Sequence, residues 1–350
     1  MARRGTTTTI ADVARHAGVS PATVSRVMND RFVGEPAVAE RVRTSATELG
    51  YSPSPLARSL ALGETHTVAL LVPDIRNPAF QAILGGLTRA AARDSYRVLV
   101  ADSAEMPDEE PVLATELRRR CDSVVLCAPR MSEERLVEIA AALAPVALIN
   151  RPSPSIAAPS LSIDYGSGIK KLAQHLYDQG HRSFVYLGGP ERSVSNARRR
   201  RALDEFEEAT PDVVLHRISC GADTEDGRRV AGLVWESRAT AAIAFNDLVA
   251  VGLVDGLGAA GVRVPDDISV TGFDDIPFAR YTSPPLTTAS VPYEELGALA
   301  WQRLLAFIQG EGPGDDLLLQ PRVEIRGSTA APSVRTAVVS AGPVEASGAG

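Results

Sequence analysis

Between Ile10 and Asn29 two short amphipathic patterns are separated by one glycine, and few folds satisfy that arrangement. Thr9 stands three residues before Asp12, a hydroxyl and an acid spaced to cap a helix start. Ile10, Val13, Ala14 and Ala17 then share one helical face, and Gly18 ends the pattern. Ser20-Pro21 opens a second helix, since Ser suits the cap and Pro the first helical position. Val24 and Val27 point inward; Pro21, Ala22, Ser25, Arg26 and Asn29 point outward. A third helix follows Glu35-Pro36, with Val38, Val42, Ala46 and Leu49 at helical spacing before Gly50. Two helices joined by a tight turn form the unit that lays its second helix in the major groove of duplex DNA.

Charge supports a division of labour. Residues 1–62 carry eight arginines against five acids, whereas the rest of the 350-residue chain holds 28 basic and 38 acidic residues. An anionic polymer is therefore expected to meet the head and not the acidic body. The length predicts two or three compact units, and 45% hydrophobic residues suffice for real cores. No stretch approaches the ~20 apolar residues of a membrane span. The N-terminus, with Arg3, Arg4 and then Thr6 to Thr9, lacks the apolar run of a secretory leader. Three scattered cysteines offer no disulfide framework. These features predict a cytoplasmic protein with no membrane partner.

Beyond the head, apolar runs alternate with helical stretches. Segments 67–72, 96–100, 123–126 and 145–149 read as buried parallel strands, and the pattern returns at 184–187, 241–245 and 268–272. Two such βαβ runs predict two doubly wound lobes, with ligands at strand C-terminal ends between them.

The string IADVARHAGVSPATVSRVMN at 10–29 closely resembles the DNA-binding head of the LacI/GalR family. YSPSPLARSL at 51–60 resembles that family's hinge, and VPDIRNP at 72–78, LGGP at 187–190, Asn246-Asp247, VTGFDD at 270–275 and RGST at 326–329 follow in the family's order. The resemblance spans about residues 9–330. It implies an N-terminal all-α helix-turn-helix head joined to an α/β, periplasmic-binding-protein-like body of two doubly wound parallel-sheet lobes. The implied boundaries are 1–50 for the head, 51–65 for a hinge with a short helix, 66–164 plus about 292–320 for one lobe, and 165–291 plus about 321–331 for the other. The Ala-, Val-, Ser- and Gly-rich tail, 332–350, reads as disordered and has no leucine heptads for a coiled coil.

The family likeness implies a homodimeric transcriptional regulator, most simply a repressor, on pseudo-palindromic operator DNA under control of a small-molecule effector such as a sugar. By carry-over, Pro21, Ala22, Ser25, Arg26 and Asn29 face the major groove. Arg26 has two N–H donors for guanine O6 and N7, a contact that discriminates by about 1–3 kcal/mol. Ala57 and Leu60 match the hinge residues of the minor groove, where an apolar wedge unstacks bases and bends DNA. Phe80, Asp102, Asp164, Arg199, Asn246 and Asp274 are the effector-cleft candidates, at or beyond strand ends or on helices facing them. Asp164 also suits a helix cap where the chain crosses between lobes.

Two departures from the family pattern stand out. Gly34 to Val38 opens the third helix without the Ser or Thr hydroxyls that touch phosphate, leaving backbone N–H groups for that task. Ala222 occupies the place where relatives carry a stacking aromatic, which weakens the case for a pyranose. Catalysis finds no support. The glycines of 256–261 end a helix instead of following a strand. Ser167 and Lys170 lack companion motifs, and His16, His66, His175, His181 and His216 show no metal spacing. No cofactor is implied. A solute-binding receptor shares the two-lobed body, but would need an export leader and no DNA-binding head.

Overall fold

The computed structural model describes residues 8–29, 31–51 and 64–333. The chain divides into two compact units, one ending at His66 and the other beginning at Thr67. The hinge positions Ala57 and Leu60 and the tail from 334 onward lie outside the described residues.

In the first unit, helices α1 (Ile10–Ala17), α2 (Pro21–Met28) and α3 (Pro36–Glu48) enclose a small core. The Asp12 carboxylate accepts the Thr9 backbone N–H at 2.9 Å and the Thr9 hydroxyl at 2.7 Å, which closes the start of α1. Gly18 ends it at φ +64°, a left-handed conformation that favours glycine. Ser20 caps α2 by accepting the Thr23 N–H at 3.1 Å. Val13, Ala14, Ala17, Val24, Val27, Val42 and Ala46 form the core. So few apolar groups gain from polar fasteners: Arg41 Nε donates to the Ala17 carbonyl at 2.9 Å, and His16 Nδ1 meets Ser45 Oγ at 3.0 Å.

The second unit begins with β1 (Thr67–Val72), α4 (Pro78–Arg93), β2 (Arg97–Asp102), α5 (Glu110–Arg118), β3 (Ser123–Cys127), α6 (Glu133–Leu143), β4 (Val146–Ile149) and β5 (Ser160–Ile163). It continues with α7 (Tyr165–Asp178), β6 (Ser183–Gly188), α8 (Val194–Ala209), β7 (Val214–Ser219), α9 (Thr224–Arg229), α10 (Ala231–Glu236), β8 (Ala241–Ala244), α11 (Asp247–Ala259), β9 (Ser269–Asp274) and β10 (Thr287–Ser290). It closes with α12 (Tyr293–Ile308), β11 (Leu317–Leu319) and β12 (Arg322–Glu324). One sheet has the order β11-β5-β4-β3-β1-β2 and the other β12-β10-β9-β8-β6-β7. Every pairing is parallel except that of β12 with β10. Among the described residues the chain passes between sheets three times: from β5 to α7, from β10 to α12, and from β11 to β12.

β1, β3, β4, β8 and β9 are almost wholly buried, as a parallel sheet covered on both faces requires. β2 departs from the sequence expectation of a buried strand. It is the sheet edge, its residues alternate in exposure, and Leu99 is 37% exposed. β5, β7, β10, β11 and β12 are strands that the apolar pattern did not reveal, because they are short, at sheet edges, or rich in Ser and Thr.

α4 and α12 meet backbone to backbone. A Cβ on Gly86 would lie 1.9 Å from the Glu294 carbonyl oxygen, and one on Gly297 would lie 2.1 Å from that of Ile83. Neither carbonyl can retreat without bending its helix. Gly86→Ala is therefore expected to destabilise the body by about 1–3 kcal/mol through overpacking. Urea unfolding should show a lower midpoint, and an unchanged midpoint would mean that the helices separate freely.

Candidate functional site

On the head, Pro21, Ala22 and Arg26 are exposed on the side of α2 opposite buried Val24 and Val27, with Ser25 and Asn29 half-buried. Arg26 Nε donates to the Ala22 carbonyl at 3.3 Å, and the rest of its guanidinium has no further hydrogen bond among those described. Asn29 Nδ2 donates to the Ser25 carbonyl at 2.9 Å, while its Oδ1 is buried without a partner among the described residues. The outward face therefore offers two small apolar groups and one cation.

In the body, a cavity of ≈30 Å³ lies between the two sheets. That is space for a water or two. Its lining residues follow strand C-terminal ends: Asn77, Ala79 and Phe80 after β1, Glu105 after β2, Ala128 and Arg130 after β3, and Tyr165 after β5. The second sheet adds Ser195 and Arg199 after β6, Ala222 after β7, Phe245 and Asn246 after β8, Asp274 at the end of β9, and Tyr293 after β10. This is the crevice where ligands of open parallel sheets bind.

Arg199 dominates the cavity. It is 2% exposed, and its guanidinium carbon lies 4.0 Å from the Phe273 ring centre, 4.2 Å from that of Tyr165 and 4.7 Å from that of Phe245. Each such contact is worth on the order of 1–2 kcal/mol when water is excluded. Its Nη2 is 3.9 Å from Asp274 Oδ1, and its Nε and Nη1 have no hydrogen-bond partner among the described residues. Local structure fixes the helix that carries it. Ser193 caps α8 by accepting the Asn196 N–H at 3.2 Å. Buried Asn196 accepts the Gly189 N–H at 3.1 Å and donates to the Gly189 carbonyl at 3.0 Å. Gly189 is required there, since a Cβ would lie 2.5 Å from the Phe245 ring.

Asp274 has φ +110°, a strained value for a residue with a side chain. It accepts the Tyr293 O–H at 2.7 Å. Burial pushes its carboxyl up to about 6, although Arg199 and the Tyr293 hydrogen bond pull the other way. Asn246 caps α11: its Oδ1 accepts the Val249 N–H at 2.9 Å and its Nδ2 donates to the Ala222 carbonyl at 2.9 Å. Beside it, fully buried Asp247 accepts the Thr288 hydroxyl at 2.6 Å and the Ile276 N–H at 2.8 Å. Burial and neighbouring Asp274 hold that carboxyl well above the usual range. Phe80 is half-buried in the wall opposite Arg199's sheet.

Two sequence candidates lie elsewhere. Asp102 ends the edge strand β2, is exposed, and spends its carboxylate on the backbone N–H groups of Ile75 and Ala104, at 3.1 and 2.8 Å. Asp164 caps α7 by accepting the Ser167 N–H at 2.9 Å and also accepts Gln320 Nε2 at 3.1 Å. It borders an open groove outside the cavity. Both carboxylates brace loops, so neither lines the cavity.

Glu105, Arg130, Tyr165, Phe245 and Tyr293 escaped the sequence reading. Their common signal, a position just past a strand end, becomes visible only once the strands are placed. Ala222 does line the cavity, and its neighbour Phe245 gives its ring to Arg199.

A model of bacterial regulatory proteins of the lacI family matches residues 9–54, and one of a periplasmic binding protein-like domain matches 173–329. The HTH-type transcriptional repressor CytR of Escherichia coli strain K12 is 30% identical over 94% of this chain and 98% of its own length. The ribose operon repressor of Haemophilus influenzae strain Rd is 32% identical over 91% and 98%. Among solved structures, the lac repressor dimer bound to operator and the anti-inducer ONPF superposes with a TM-score of 0.82 at 25% identity, covering 93% of this chain and all of that one.

The raised Asp274 carboxyl has a consequence for stability. Its proton is favoured in the folded state, so the stability it contributes is full below the unfolded value of about 3.9 and is lost as pH rises through about 6. The stability of the wild type relative to Asp274→Asn should fall by on the order of 2–3 kcal/mol between pH 4 and pH 7. Urea midpoints of both proteins at the two pH values measure this, and a constant difference would refute it.

Proposed function

This chain belongs to the lacI family of bacterial regulatory proteins, and on that footing we propose that it is a cytoplasmic, homodimeric repressor whose hold on DNA is set by a small molecule bound between its two lobes. Two heads read a pseudo-palindromic operator with half-sites about one helical turn apart. Arg26 supplies the donors for a guanine, Pro21 and Ala22 meet apolar base surface such as a thymine methyl, and Ser25 and Asn29 complete the face. Ala57 and Leu60 enter the minor groove at the operator centre. No catalytic step is assigned to any residue.

The effector reading rests above all on Arg199. A buried guanidinium with Nε and Nη1 unpartnered leaves donors unsatisfied at a cost of about 1–3 kcal/mol. A ligand with acceptor oxygens removes that cost, and the aromatic rings around Arg199 hold its plane ready. Asp274 and Asn246 lie within the same cavity to receive or donate further hydrogen bonds, with Phe80 across from them. The lac repressor neighbour is described with both operator and a ligand bound, and other neighbours with cellobiose or ribose. Binding that favours one arrangement of the lobes shifts the operator-binding equilibrium only by its differential affinity for the two states. Asp102 and Asp164 act as loop braces in this reading.

Two substitutions separate the two activities. Arg26→Ala should weaken operator binding and relax the preference at one base pair of each half-site, seen by selection from a randomised operator library. An unaltered preference would remove Arg26 from base reading. Arg199→Met should keep operator affinity within about twofold in gel shifts while abolishing the stabilisation that a metabolite screen detects in the wild type. A retained response would place the effector elsewhere.

A further inference from the structure

One wall of the cavity carries a pair of charges that the proposed function leaves unused. Arg130 is 5% exposed, and its Nε and Nη2 donate to Glu105 Oε2 and Oε1 at 2.7 and 2.9 Å. Its Nη1 donates to the Ala128 carbonyl at 2.9 Å. The backbone under it is held as firmly. Glu110, 1% exposed, accepts the N–H of Arg130 at 2.8 Å and that of Met131 at 2.7 Å.

The backbone around this pair is strained. Ala104, Glu105 and Ala128 have φ of +50°, +57° and +48°, all in the left-handed region that favours glycine. Strain of this kind persists where the surroundings over-determine it, and ligand clamps are a common location. Glu105 and Arg130 both line the same cavity as Arg199 and Asp274.

Four charges thus surround the cavity, two of each sign, arranged as one arginine–carboxylate pair on each side. The bidentate grip of Glu105 occupies the fork that would otherwise clamp a phosphate or carboxylate. Its remaining lone pairs can accept O–H groups of an uncharged ligand, whereas its negative charge repels a phosphate or carboxylate brought beside it. We propose that Glu105 and Arg130 act as a charge filter that sets the effector class: an uncharged, hydroxyl-rich molecule is admitted, and its phosphorylated or carboxylated relatives are turned away. This rests on the cavity being the effector site. Within it, Arg199 supplies the free donors and Glu105 the free acceptors.

Inorganic phosphate tests the filter without knowledge of the effector. Melting temperatures of the full chain are recorded against phosphate at fixed ionic strength, sodium chloride making up the difference. The wild type should show no phosphate-specific shift. Glu105→Gln, which frees the Arg130 fork, should gain a saturable rise of several degrees, and Glu105→Gln combined with Arg130→Met should lose it. Glu105→Ser replaces Glu105→Gln if the latter does not fold. A phosphate-specific rise in the wild type, or none in the single variant, would overturn the filter. Failure of the effector reading shows separately, as the loss of Arg199-dependent metabolite stabilisation while the phosphate results stand.

Discussion

A guanidinium held in a nearly dry space is costly unless its surroundings are built for it. Arg199 meets three aromatic faces and one carboxylate at 3.9 Å, and those partners come from far-separated parts of the chain: Tyr165 at the start of α7, Phe245 after β8, Phe273 and Asp274 in β9. The second sheet must be assembled in register before they converge. Tyr293, from the first residue of α12, then adds a hydroxyl to Asp274, and α12 packs on the other lobe through Gly86 and Gly297. The binding chemistry and the joining of the lobes therefore share the same residues.

That sharing gives a physical route for regulation. Anything that alters how Asp274 is satisfied acts on Tyr293, and through it on the helix that carries Gly297 into α4. At ≈30 Å³ the cavity has room for a water or two, so a larger occupant must change the spacing of the lobes. The close glycine contacts hold α12 on α4 within one lobe, so Tyr293 moves with that lobe as a unit.

Much of this was legible in the sequence. The head could be read almost residue by residue, since helix caps and apolar spacing are local: Thr9, Gly18, Ser20 and Pro21 occupy their expected places. The parallel-sheet body was legible from its buried runs. The edge strand β2 misled, because its apolar residues resemble those of a buried strand while only one side is covered. Of the residues that motifs singled out, Phe80, Arg199, Asn246 and Asp274 line the cavity, but Asp102 and Asp164 do not, since a carboxylate at a strand end serves a backbone N–H as readily as a ligand. Arg130 and Glu105 carry no motif. Their pairing across 25 residues depends on left-handed backbone at Ala104, Glu105 and Ala128, which nothing in those residue types announces.

The three passages between sheets bear on how the molecule comes into being. β11, the outer strand of one sheet, and β12, the outer strand of the other, lie within a few residues of each other at 317–324. During synthesis on a ribosome, both lobes remain an edge short until this segment has emerged. The two halves of the receptor consequently reach their finished form together, and a nascent chain stalled before residue 317 would leave two open sheet borders exposed to neighbouring chains.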